Sequence, residues 1–66
     1  MFKNLEAEMA RKNLTKKKIS DELPIVYKTL LNKMNGYTPF TKAEMFAIKK
    51  KYFPECTIDY LFAEDS

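Results

Sequence analysis

Histidine and tryptophan are absent from these 66 residues, and glycine and cysteine occur once each. Without histidine and with a single thiol, Cys56, no cysteine-rich or histidine-rich metal site can be assembled. The commonest general acid-base group is missing too. One glycine, Gly36, leaves no phosphate-cradling glycine-rich loop. The carboxylates are scattered or gathered near the C-terminus, and no serine or threonine has an evident activating base. Catalysis, metals and cofactors are therefore not expected. Long hydrophobic runs are lacking as well: none approaches the roughly 20 residues of a membrane span. The opening MFKNLEAEMARK interleaves acids and bases, with no apolar stretch of the kind secretion requires. A soluble cytoplasmic chain forming one domain over residues 1–66 is the expectation. A lone thiol suits a reducing compartment.

Charge is present, and it is unevenly spread. All twelve lysines and arginines lie in the first 54 residues beside five acids, which leaves that part at +7. Residues 55–66 hold Glu55, Asp59, Glu64 and Asp65 with no cation. A basic body with an acidic end suits a face that meets phosphates, although scattered lysines also solubilise small domains.

Phe2, Leu5 and Met9 recur at helical spacing, with Ala10 beside them, and predict a helix over 2–12. Asn13 tolerates the left-handed conformation that ends helices. Thr15 is then an N-cap for a helix over 16–22, with Ile19, Ser20 and Leu23 inward and Pro24 as its stop. A third helix over 26–35 carries Leu30 and Met34 on one face, with Ile25 tucked in at its start. Tyr27, Lys28, Asn32 and Lys33 fall on the other side. Gly36 follows as a left-handed cap. Thr41 and Glu44 form a capping box for a fourth helix, with Met45, Ile48 and Tyr52 inward, Phe46 and Phe53 nearby, and Pro54 as its stop. Thr57 caps a short fifth helix over 58–62, after which 63–66 is expected to fray. Nothing alternates with strand periodicity. The expected fold is all-α, a compact five-helix bundle.

Two short amphipathic helices joined by a tight turn make a helix-turn-helix, whose second helix can enter the DNA major groove. In order and spacing, NLEAEMARKNLTKKKI, YKTLLNKMNG and FPECTIDYLF resemble the phage Cro/repressor-type helix-turn-helix family. The likeness extends over nearly the whole chain. It implies a lambda-repressor-like DNA-binding domain in a bacterial host cell. Such a domain regulates transcription by occupying double-stranded operator DNA, often as a homodimer.

The resemblance sets Val26, Tyr27, Lys28, Leu31 and Asn32 against base edges or the groove wall. Lys16 and Lys17, with Asn35, Tyr37 and Thr38 in the following loop, are set against phosphates, and Lys33, on the outward face of the third helix, is a further phosphate candidate. Leu30 would anchor the reading helix. The chain departs from the family at three places. Pro24 stands where the turn usually has a left-handed glycine. Val26 replaces a capping serine or threonine, and Leu31 replaces a small polar residue. These apolar changes suit a second reading, a phage antirepressor or modulator that binds a repressor protein. Leu31, Tyr60 and Phe62 are the candidate protein-contact residues, because consecutive Tyr60, Leu61 and Phe62 cannot all face one neighbour. Lys49, Lys50 and Lys51 are assigned to a favourable helix C-terminus.

Overall fold

The computed structural model describes residues 2–64, and the expected fraying of residues 65 and 66 lies outside them. Among the described residues the chain forms five α-helices and no strand: α1 (Lys3–Arg11), α2 (Lys16–Glu22), α3 (Tyr27–Met34), α4 (Lys42–Tyr52) and α5 (Ile58–Leu61). None is long and apolar enough to cross a membrane.

The inward stripes named by periodicity meet in one core. Leu5, Ile19, Leu30, Ile48, Phe53 and Leu61 are sealed from solvent, with Phe2, Met9 and Met34 nearly so. Each helix thus contributes at least one residue to the apolar burial that drives folding. At one end the rings of Phe2, Phe40 and Phe62 meet edge to face, with centroids 5.1–6.0 Å apart. That geometry suits the aromatic quadrupole. Phe62 is half-buried and packs against the core through this ring cluster. The short α5 resolves the crowding of residues 60–62 by burying Leu61, half-burying Phe62 and turning Tyr60 outward.

Local caps set the helix ends. Thr15, Thr41 and Thr57 each accept a backbone N–H three residues on, at 3.1 Å. Glu44 completes the capping box by accepting the Thr41 N–H at 2.9 Å. α1 ends with Asn13 at φ 52°. There the Leu14 N–H returns to the Met9 carbonyl at 2.8 Å. α3 ends the same way, with Gly36 at φ 84° and the Tyr37 N–H on the Asn32 carbonyl at 2.9 Å. In both, the residue at positive φ lets the chain turn back on its own helix.

The end of α2 uses this device with the wrong residue. The Ile25 N–H reaches the Ser20 carbonyl at 3.2 Å, placing Pro24 in the left-handed position at φ 23°. Pro24 therefore lies in the turn between α2 and α3. A proline ring prefers φ near about −65° and has no N–H for the Asp21 carbonyl. Proline is the residue least suited to that position, since its ring opposes the backbone angle and it cannot donate there.

Candidate nucleic-acid interface

α3 is held from beneath and open at its start. Leu30 and Met34 are buried, whereas Val26 is 70% and Tyr27 42% exposed. Lys28 and Thr29 are also exposed. Val26 offers no side-chain cap to the first turn, as expected from its apolar side chain. Further along, Leu31 and Asn32 are half-buried. The outward flank of α3 is thus concentrated in its first turn. Thr29 belongs to it, although no sequence argument singled it out. Only its position one residue after Lys28 could have done so.

The α2 lysines stand close to that first turn. The Lys17 ammonium lies 5.8 Å from the centre of the Tyr27 ring, and it pairs with Asp21 at 3.4 Å. Both partners of that ion pair are well solvated, so the pair is weak and the ammonium can be shared with another anion. Lys16 is half-buried and Lys18 exposed. Lys16, Lys17 and Tyr27 also line one cleft of about 370 Å³ with Met9, Ala10 and Leu14. Lysines from the start of α2 and the exposed start of α3 therefore form one continuous surface. Beyond α3, Asn35, Tyr37 and Thr38 are exposed, Tyr37 at 78%.

Lys33 does not join them. Its ammonium sits on both carboxylate oxygens of Glu44 at 2.5 Å, with only 12% of its side chain exposed. In this structure, where it was expected to face phosphates, it instead ties the end of α3 to the start of α4. Burial alone would raise the Glu44 carboxyl, but contacts from Lys33 and Thr41 outweigh that and hold it below its ordinary value. A carboxylate lowered in this way stabilises the fold above its unfolded value and loses that contribution as pH falls through the folded one. Glu44→Gln is expected to cost more than the ~1 kcal/mol of an exposed pair at neutral pH, because it leaves the Lys33 ammonium without its charge partner. It should also flatten the decline of stability in acid. Urea midpoints across an acid pH series check this, and parallel curves for the two proteins would contradict it.

The remaining candidates face elsewhere. Tyr60 is 39% exposed, but its hydroxyl donates to Glu8 at 2.9 Å and its carbonyl accepts from Asn4 at 2.9 Å. These bonds fasten α5 to α1. Phe46, placed beside the buried stripe of α4 by spacing, is 59% exposed. Glu8, Glu55 and Cys56 bring ligand atoms within 4.8 Å of one another. Lys12 occupies Glu55 at 3.0 Å, and desolvation together with the Glu8 and Glu55 carboxylates pushes the thiol of Cys56 up. That trio is already satisfied by protein groups.

Comparison with protein-family models, curated proteins and solved structures found no match.

Proposed function

We propose that the chain is a DNA-binding transcriptional regulator of the phage Cro/repressor type, with α2, the Leu23–Val26 turn and α3 working as a helix-turn-helix. The observation that carries this reading is the pairing of two surfaces. The first turn of α3 stands free, and the Lys17 ammonium lies against its Tyr27 ring. Residues at the start of a reading helix are the ones that reach base edges, while cations beside them take phosphates. Lys28 and Asn32 supply groups that pair with guanine and adenine edges, and Lys16, Lys17 and the Tyr37–Thr38 loop grip the backbone. The regulator acts by covering a promoter. If it pairs with a second copy, half-sites lie about one helical turn apart.

A second reading draws on Val26 at 70% exposed and on the half-buried Leu31. Apolar groups on this face would also suit a modulator that binds a repressor protein. A gel shift with DNA from upstream of the gene, run across a salt series, separates the two. The first reading expects a shift whose affinity falls steeply with salt. No shift, with retention of a repressor in a pull-down, would establish the second.

A further inference from the structure

The cleft beside the start of α2 has the composition of a ligand site, and DNA binding makes no use of its floor. Met9, Ala10 and Leu14 give it an apolar lining, the Tyr27 ring forms one side, and Lys16 and Lys17 bring cations to it. It is a shallow depression of about 370 Å³, open to solvent, that combines apolar walls with a few polar groups as small-molecule sites do. Lys16 is half-buried and lines the cleft, as a side chain with an apolar stem and a charged head can. Glu6 also lines the cleft. Its charge repels an anion, and Asp21 pairs with Lys17 at 3.4 Å, so a negative head is best placed towards Lys16 and shares Lys17 with Asp21.

We propose that this cleft binds an amphipathic organic carboxylate, with its apolar body over Met9, Ala10 and Leu14 and its head at Lys16 and Lys17. Its regulatory consequence rests on the DNA-binding reading given above. Ligand and DNA would claim the same two lysines and the same tyrosine, so each weakens the other. That coupling is reciprocal by thermodynamic necessity.

The test titrates the intact, nitrogen-15-labelled chain with 4-phenylbutyrate in the absence of DNA. 4-Phenylbutanol serves as the uncharged match and butyrate as the bare head. The expected result is saturable amide shifts at Ala10, Leu14, Lys16 and Tyr27 with phenylbutyrate, and far weaker effects from the other two. Lys16→Gln should weaken binding about three- to five-fold, the range of one partly solvated ion pair. Ala10→Leu should abolish it by filling the cleft. Ala10 is exposed and leucine is a good helix former, so that variant keeps its fold. Equal binding of the alcohol, unchanged binding by Ala10→Leu, or shifts confined to other faces would overturn the proposal. A second arm adds phenylbutyrate to the DNA complex and expects release. Cleft shifts without any DNA affinity would remove the regulatory consequence alone. DNA binding without cleft shifts would remove the ligand site alone.

Discussion

Leu30→Ala is expected to cost about 2–5 kcal/mol, the range for truncating a buried leucine. Leu30 is fully sealed and belongs to the cluster that joins α3 to Ile19, Ile48 and Phe53. α2 and α3 pack against each other more extensively than any other helix pair. A cavity under Leu30 therefore loosens the element carrying the candidate interface. A domain of this size has only about 3–10 kcal/mol of total stability at 0.05–0.15 kcal/mol per residue. The melting temperature should fall by about 10 °C or more, and DNA binding should weaken with it. Lys28→Ala, on the exposed side of the same helix, should leave the melting temperature within a few degrees. Thermal unfolding followed by circular dichroism measures both. A cost below about 1 kcal/mol for Leu30→Ala would mean that Leu30 does not anchor α3 to the core.

The second large effect separates grip from reading. Lys17→Ala removes a cation beside the Tyr27 ring and should weaken binding to every duplex. The slope of log affinity against log salt should become shallower by about 0.9 for each phosphate that is no longer neutralised. Lys28→Ala or Asn32→Ala should instead reduce the preference for one sequence over a scrambled one by about 1–3 kcal/mol, or roughly 5- to 150-fold. Binding isotherms on both duplexes at several salt concentrations measure these quantities. Equal reductions of slope and of preference in all three variants would contradict the division of roles.

Most helix boundaries were legible because they depend on groups close in sequence. Thr15, Thr41 and Thr57 cap the helices they precede, and Asn13 and Gly36 turn where a left-handed residue is needed. The Pro24 turn was not legible, because its geometry follows from closure onto the Ser20 carbonyl rather than from the preference of proline. Lys33 looked solvent-facing by helical spacing alone. Its partner, Glu44, comes eleven residues later on the next helix, and periodicity cannot show a neighbour contributed by another element. The same limit hid the exposure of Phe46, the burial of Glu8 and the ring cluster that takes in Phe62. The cleft escaped notice for a related reason, since its walls come from three helices and the Leu14 connection.

The most direct measurement maps where DNA touches the folded chain. Amide shifts of the labelled protein, followed during titration with a duplex from upstream of the gene, report binding residue by residue. The largest changes are predicted at 15–17 and 26–32, with smaller ones at Tyr37 and Thr38 and none around Tyr60. Changes centred instead on the outer side of α4 around Phe46, or no change at a concentration where the duplex is retarded in a gel, would contradict it.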